Sequence, residues 1–270
     1  MRSLSRILVL IRGGGDLASG VAHRLHRAGF RIVITELPVP MVVRRGVALA
    51  QSVFTGEVEI EGVKGRLIKS TDQITRLLES SVIPVVVDPE GKLLETLSPT
   101  VLVDARMAKR NVGSLKDQAP VVLGLGPGFV AGRDVDGVVE TKRGHRLGRL
   151  LLEGSALPNT GQPAPVLGVT EERIIRAPVS GLFKPCSEIG DRVEGGELLA
   201  RVDGVEVLAR TTGVVRGLLY PGLQVKKGQK LGDLDPRGRV EDCYLISDRA
   251  RAVAGGVLEG ILYLLRKRGL

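Results

Sequence analysis

The chain opens with a short apolar run, residues 7–11, that leads directly into a glycine-rich segment at residues 12–20. The apolar run predicts a buried strand, and the glycine-rich segment predicts a tight turn that leads into a helix. Apolar residues at four-residue spacing give this helix one buried face: Leu17, Val21 and Leu25. A second apolar run, residues 30–35, predicts the next strand. The order strand, glycine turn, helix, strand is typical of a βαβ unit that binds a dinucleotide.

The glycines of the turn follow the spacing Gly13-x-Gly15-x-x-Ala18, a tolerated form of the dinucleotide fingerprint. Glycines here let backbone N–H groups approach a phosphate, and the helix N-terminus adds a partial positive charge. Glu36 lies 21 residues after Gly15, where an acid that binds a ribose is expected. The alternative is a tight turn that binds no ligand.

Two charged residues at the turn favour different interpretations. Arg12 places a cation beside the loop and favours an anionic ligand. Asp16 can cap the helix, or its carboxylate can compete with a phosphate for the same N–H groups.

Three further apolar runs, residues 82–87, 101–103 and 121–123, predict more strands, and residues 72–79 predict a short helix. Because ligands of a parallel sheet gather at the carboxyl ends of its strands, we expect the loops that follow these strands to form one site.

Glycine-rich or basic loops follow the predicted strands at residues 12–16, 104–110 and 124–132, and a basic stretch follows at 142–149. These loops are either a clamp on a phosphorylated ligand or a solvent-exposed basic surface. The predicted cofactor-binding residues are Arg12, Gly13, Gly14, Gly15, Asp16, Leu17, Glu36, Asp104, Arg106, Lys109, Arg110, Gly126, Gly128, Arg143, His145 and Arg146.

An internal repeat occupies the third part of the chain, where residues 177–202 match residues 209–234 at an offset of 32 without a gap. Each half predicts a small β unit with paired glycine turns, and such halves resemble the barrel-sandwich hybrid of biotinyl and lipoyl domains. Those carriers modify a lysine in the hairpin between the halves, but no lysine lies between Lys184 and Lys226 here. We therefore expect a docking or scaffold module.

The last segment predicts a helix that begins after Ser247 and ends near Arg268. Its glycines, Gly255, Gly256 and Gly260, suggest close packing against another element. The predicted fold class is α/β, with a Rossmann-like parallel sheet, a small all-β barrel-sandwich module and a C-terminal helix. The predicted domains are a cofactor-binding domain (1–132), an irregular basic connector (133–172), the repeat module (173–240) and a helix packed on the body (241–270).

Composition narrows the classes of partner. The 270 residues are 43% hydrophobic, which is ample for a core, and no run of 18 apolar residues predicts a membrane span. Two cysteines and three histidines predict neither a disulfide framework nor a structural metal site, and they fit a cytoplasmic protein. The net charge of +9 raises nucleic acid as a partner, but 3% aromatic residues and no Trp argue against it. Small anionic ligands fit the local Arg groups better.

Candidate catalytic groups are few. The sequence contains no GxSxG, HExxH, CxxC or Walker-type GK[ST] motif. Cys243 is the one plausible nucleophile, and its acidic neighbours Glu241 and Asp242 would raise the pKa of the thiol. An inert, partly buried cysteine is the alternative.

Several strings resemble one family, the YqeB-type accessory proteins of selenium-dependent molybdenum hydroxylase systems, which are loosely related to XdhC-type factors. The strings span nearly the whole chain: GGGDLASG (13–20), RR-x-VA (44–48), VDARMAKRN (103–111), GLGPGFVAG (124–132), ETKRGHRLG (140–148), PNTGQP (158–163) and CYLISDRA (243–250).

The resemblance implies an accessory or maturation factor that binds a molybdopterin dinucleotide, the molybdenum cofactor, and assists its modification or insertion. It also implies a molybdenum hydroxylase apoenzyme as partner, and a homo-oligomer is possible. Two enzymatic alternatives remain open at this point: an NAD(P)-dependent oxidoreductase and a sulfur or selenium transferase that uses Cys243. The residues favour a cofactor-binding accessory protein over a conventional enzyme.

Overall fold

The computed structural model describes residues 4–161 and 165–270, and the chain divides into two compact units. The first unit comprises residues 1–40, 48–159 and 246–270, and the second comprises residues 41–47 and 160–245. Of the PNTGQP string, residues 162 and 163 lie outside the described residues. Among the helices that are described, none is both long and apolar enough to cross a membrane.

A nine-stranded sheet forms the first unit. Its strands are β1 (Leu8–Arg12), β2 (Arg31–Glu36), β3 (Glu57–Ile60), β4 (Val63–Ile68), β5 (Ile83–Val87), β6 (Val101–Asp104), β7 (Val121–Leu125), β8 (Gly137–Val139) and β9 (Leu150–Leu151). Its helices are α1 (Asp16–Arg27), α2 (Ser52–Thr55), α3 (Gln73–Glu79), α4 (Leu93–Leu97) and α5 (Asp248–Lys267). The strand order is β3-β4-β5-β2-β1-β6-β7-β8-β9.

The strands from β4 to β8 in this order pair in parallel, whereas β3 and β9 are antiparallel at the two edges. The central strands are apolar and buried over most of their length, as expected where helices or loops cover both faces of a sheet, and polar residues occur at their ends. One core cluster joins the sheet to α3 and α4 through Leu10, Val33, Leu102, Val122, Ile74, Leu77, Leu93 and Leu94.

Helix α5 packs against α1 and against β7, β8 and β9. Its N-terminus is capped as expected, because Ser247 Oγ accepts a hydrogen bond from the Ala250 N–H at 3.1 Å. The close packing expected of its glycines is observed at Gly256 and Gly260 but not at Gly255. A Cβ at Gly256 would overlap the carbonyl oxygen of Gly148, and a Cβ at Gly260 would lie 3.0 Å from Leu150.

Two four-stranded antiparallel sheets form the second unit, in the orders β10-β17-β15-β12 and β14-β13-β11-β16. The strands are β10 (Ile174–Arg176), β11 (Gly181–Pro185), β12 (Arg192–Val193), β13 (Leu198–Val202), β14 (Val205–Leu208), β15 (Gly213–Leu218), β16 (Gln224–Val225) and β17 (Lys230–Asp235).

These strands follow the 32-residue offset of the sequence repeat. β11, β12 and β13 recur as β15, β16 and β17, and β10 and β14 end 32 residues apart. The halves exchange their short strands, since β12 pairs with β15 and β16 pairs with β11. Neither half therefore completes its own sheet.

The fold class predicted from the sequence, a Rossmann-like sheet followed by a barrel-sandwich module, is wrong. A large mixed sheet takes the place of the parallel one, because β3 and β9 close its edges in antiparallel pairs. The connections β6–β7 and β7–β8 contain no crossover helix, so strands and helices do not alternate as in a doubly wound fold. β8 and β9 also lie inside residues 133–172, the segment predicted to be an irregular connector.

We expect adjacent glycines of α5 to respond in opposite directions to alanine. Gly256→Ala should lower the free energy of unfolding by about 1–3 kcal/mol, because the new methyl group overlaps the Gly148 backbone. Gly255→Ala is the matched control, because its Cβ would have only Arg24 Nη1 within 4 Å, at 3.6 Å. That variant should gain up to about 1 kcal/mol from helix propensity. Urea unfolding of both variants measures the difference, and equal effects would contradict the packing described.

Candidate functional site

The turn between β1 and α1 is held close to the loop that follows β6. Gly13 adopts φ +91° and donates its N–H to the Thr35 carbonyl oxygen at 2.8 Å. A Cβ at Gly13 would lie 3.2 Å from the Cα of Arg106, in a left-handed backbone conformation that favours glycine. The glycine therefore brings the ends of two neighbouring strands together.

Glu36, the predicted ribose-binding acid, makes its hydrogen bonds within the turn. Its Oε2 accepts the Gly14 N–H at 2.6 Å, and its Oε1 accepts the Leu37 N–H at 2.7 Å. A carboxylate of the protein thus takes one of the amides that a phosphate would use in a dinucleotide-binding turn.

The amides available to a ligand lie one step further along the chain. The space beside Gly15 is open, with no atom within 4 Å of the position of a Cβ. Ser19 N–H bonds the Gly15 carbonyl oxygen at 2.8 Å, so the amides of Asp16, Leu17 and Ala18 belong to the first turn, where N–H groups lack intrahelical partners. An anion would meet α1 here.

A buried carboxylate, Asp104, organises the predicted cations around it. It is 1% exposed at the end of β6, and Arg106 grips it with Nη2 at 2.5 Å and Nε at 3.1 Å. Ser114 Oγ donates to Asp104 Oδ2 at 2.7 Å and accepts from Arg12 Nη1 at 2.9 Å. Burial lowers the pKa of Arg12, and the charge of Arg106 acts in the same direction. The guanidinium groups of Arg12 and Arg106 are therefore already engaged in hydrogen bonds to Ser114 and Asp104.

The loops after β6, β7 and β8 meet around Gly126 and Gly128. A Cβ at Gly126 would lie 2.5 Å from Thr141 Oγ1 and 3.4 Å from Met107 Cε, and a Cβ at Gly128 would lie 2.6 Å from the Arg110 nitrogen. Lys109 and Arg110 are exposed on this rim. The structure thus brings together the strand-end loops predicted to share one edge.

Arg249, which the predicted set lacks, lies at the centre of this edge. It is the second residue of α5, and its Nε donates to the Thr141 carbonyl oxygen at 2.8 Å. Burial lowers the pKa of Arg249, whereas the negative charge of Asp16 raises it. Arg249 escaped the sequence analysis because 108 residues separate it from Thr141, its hydrogen-bond partner. The string CYLISDRA, which contains Arg249, was the available signal.

Glu140 anchors the basic stretch from within. It is 1% exposed, and its carboxylate accepts the N–H groups of Thr141, Lys142 and Leu157, each at 2.8 Å. Its own N–H bonds the Arg149 carbonyl oxygen at 3.0 Å and so closes the loop.

The cations of this loop are exposed. Arg143 pairs with Asp248 at 2.8 Å, an exposed ion pair that contributes little stability. His145 and Arg146 are exposed on the same loop. The backbone of the basic stretch is therefore ordered by the hydrogen bonds of Glu140, whereas its charged side chains are exposed to solvent.

The candidate nucleophile Cys243 lies in the second unit and is fully buried. Its Sγ contacts the Val215 carbonyl oxygen at 3.7 Å, and burial raises the pKa of the thiol. A thiolate is the reactive form, so a buried thiol with a raised pKa is a poor nucleophile. This environment disfavours the catalytic role considered for Cys243, which stays a prediction that thiol labelling can test.

Comparison with known proteins identifies one clear relative. No family model matches the chain. The chain is 48% identical over 260 residues to the uncharacterized protein YqeB of Escherichia coli (strain K12). The aligned region covers 96% of this chain and 48% of that protein. The similarity to YqeB predicted from the sequence strings is thereby confirmed. The chain spans about half the length of the curated relative that it matches.

Solved structures offer only distant likenesses. The product-bound ectoine utilization protein EutE (DoeB) from Ruegeria pomeroyi has a TM-score of 0.26 at 14% identity, over 84% of this chain and 85% of that chain. A succinylglutamate desuccinylase/aspartoacylase from Rhodobacter sphaeroides has a TM-score of 0.27 at 18% identity, over 84% and 85%. TcdA (CsdL) has a TM-score of 0.30 at 16% identity, over 48% and 52%. At these scores the likenesses support no conclusion about fold or activity.

The two cysteines should differ sharply in reactivity. Cys186 is exposed and Cys243 is buried, so we expect 5,5′-dithiobis(2-nitrobenzoate) to react quickly with one thiol of the native protein and with the second only after unfolding. The variant Cys186→Ser should lose the fast reaction. Fast labelling of that variant in the folded state would restore Cys243 as a candidate nucleophile.

Proposed function

We propose that this chain is an accessory protein of a molybdenum hydroxylase system, and that it holds a phosphorylated molybdenum-cofactor nucleotide at the carboxyl edge of its nine-stranded sheet. The observation that carries the site is the contact between the N-terminal parts of α1 and α5 at that edge, where a Cβ at Gly20 of α1 would lie 2.8 Å from Ala250 Cβ of α5 and the neighbouring Arg249 donates to the Thr141 carbonyl oxygen at 2.8 Å. The molybdenum hydroxylase system is what the resemblance of the sequence strings to YqeB-type proteins implies, and the relative found by comparison is itself uncharacterized.

The donor set fits the phosphate part of such a ligand. The first-turn amides of α1 and the open space beside Gly15 accept an anion, and a helix N-terminus favours negative charge. The guanidinium of Arg249 supplies two-point contact to phosphate oxygens. Arg146 of the basic stretch is exposed and adds positive charge, and His145 is exposed on the same loop.

Asp16 would act as a placeholder for the ligand. Its carboxylate occupies the first turn of α1, where it provides a negative charge near Arg249 when no anion is bound. An incoming phosphate would be attracted by the guanidinium of Arg249 and repelled by the carboxylate of Asp16, whose charge already acts on that guanidinium. This repulsion would limit affinity and permit release to an acceptor protein.

The cofactor is cargo in this proposal, and the chain's own residues bind and orient it. The chemistry of its modification belongs to another component. A transferase role for Cys243 is set aside because the thiol is buried.

Calorimetric titration of the full chain with molybdopterin cytosine dinucleotide tests this function. We expect saturable binding that Arg249→Gln weakens about tenfold, because a charged hydrogen bond is lost. Arg266→Gln is the matched control, since Arg266 lies in the last turn of the same helix. It should bind as the unmodified chain does.

The opposite change is expected at the placeholder, where Asp16→Asn should tighten binding because the competing charge is removed. Circular dichroism of each variant checks that the fold is retained. Binding of NADH or NADPH in place of the pterin dinucleotide would contradict the proposal and favour a nicotinamide-dependent oxidoreductase. Equal losses in Arg249→Gln and Arg266→Gln would contradict the location of the site.

A further inference from the structure

A cavity of about 350 Å³ lies in the second unit, where β10 at the edge of one sheet and β14 at the edge of the other face the same space. All of its lining residues belong to this unit, and none belongs to the site proposed in the first unit. Its volume is at the lower end of the range of small-molecule sites, which is roughly 300–1,000 Å³.

One wall of the cavity is apolar. Ile174 of β10 and Val207 of β14 are buried beneath it, and Pro178 extends it. Leu208 also lines the cavity but leaves 46% of its surface exposed. An exposed leucine beside a preformed concave surface is an apolar contact that a ligand can complete.

The rim carries three cations, Arg176, Arg210 and Lys227, against one carboxylate, Glu172. Arg176 is held in place by the Gly228 carbonyl oxygen at 3.4 Å and by Glu171 at 3.3 Å. In the part of the chain that the structure describes, neither Lys227 Nζ nor the Arg210 guanidinium has a hydrogen bond or ion pair within 4 Å.

Carboxylates offset part of this charge. Glu171 pairs with Arg176 at 3.3 Å. Backbone hydrogen bonds, among them the bond from the Thr170 N–H to Glu172 Oε2 at 3.3 Å, lower the pKa of Glu172, and the positive charge of Arg210 acts in the same direction. The lining keeps a net positive charge beside an apolar wall, and such a wall strengthens the attraction of an anion.

The repeat explains why the two kinds of surface alternate. Arg176 and Leu208 occupy equivalent positions 32 residues apart, and so do Pro178 and Arg210. At each of these two pairs of positions, one half of the repeat contributes a cation where the other half contributes an apolar side chain. The two halves have similar strands but different side chains at these equivalent positions, and together they form an amphipathic cleft.

From this arrangement we infer a binding site for a small organic anion, whose carboxylate or phosphate group meets Arg176, Arg210 and Lys227 and whose compact apolar body covers Val207 and Leu208. The site is separate from the proposed cofactor site and does not depend on it. An inorganic anion would leave Leu208 exposed, and an apolar cation would be repelled by the rim.

Three probes of matched chemistry test the inference: hexanoate, acetate and hexylammonium. Titrations of the full chain are followed by the backbone amide resonances of Val207, Leu208 and Gly228 in two-dimensional NMR spectra. We expect saturable shifts with hexanoate, affinity at least about tenfold weaker for acetate because the apolar contact is lost, and no specific shifts with hexylammonium.

Two variants separate charge from shape. Arg210→Glu should weaken hexanoate binding about tenfold, because one attractive pair becomes repulsive. Arg239→Glu is the matched control, since this exposed arginine of the same unit does not line the cavity, and it should have little effect. Leu208→Ser should weaken hexanoate more than acetate.

The inference is overturned if hexanoate produces no saturable shifts, if acetate or hexylammonium binds as tightly as hexanoate, or if Arg239→Glu weakens binding as much as Arg210→Glu. Because Arg210, Arg239 and Leu208 are exposed, these variants should fold, and the remaining amide resonances report whether they do. None of these outcomes depends on the pterin titration, so the two proposals fail independently.

Discussion

The pairing of Asp104 is the interaction on which the carboxyl edge of the sheet in the first unit depends. A carboxylate that is 1% exposed is costly to bury unless it is paired and hydrogen-bonded, and Arg106 with Ser114 provides this. Asn111 in turn holds Ser114 through bonds of 2.7 and 2.8 Å. These bonds fold the loop after β6 back onto its own strand. Without them the loop would lose the base from which it reaches the glycines after β7.

The same device recurs at two other strand ends, which explains the charge of the edge. Glu36 at the end of β2 accepts the N–H groups of Leu37 and of Gly14 in the turn after β1. Glu140 after β8 accepts N–H groups of its own loop and that of Leu157 after β9. The acids are thus turned inward to order the loops, and the exposed side chains left at the rim are mostly basic. The carboxylates that order these loops therefore contribute little to the exposed surface of the edge, and this leaves that surface mainly positive.

Patterns of apolar and capping residues along the chain predicted those helices and strands that depend on neighbouring residues in the sequence. The apolar run at 82–87 became β5, the segment at 72–79 became α3, and Ser247 caps α5. The edge strands β3 and β9 escaped prediction because both are short: β3 has four residues, of which only Ile60 is buried, and β9 has two residues, neither of them fully buried. The partner of Arg249 escaped because distant segments meet there. Glu36 was recognised as important, but its hydrogen bonds to the turn depend on a geometry that spacing does not encode.

The second unit shows how a repeat can create a site that neither half contains. Because β12 and β16 are exchanged between the halves, the two sheets are tied to each other, and the equivalent strands β10 and β14 are left as edges. Paired edges normally invite contact with another strand. Here they enclose a cavity instead, and substitution at equivalent positions has given it a cationic rim and an apolar wall. Exchange of strands provides the shape, and divergence of the two halves provides the chemistry.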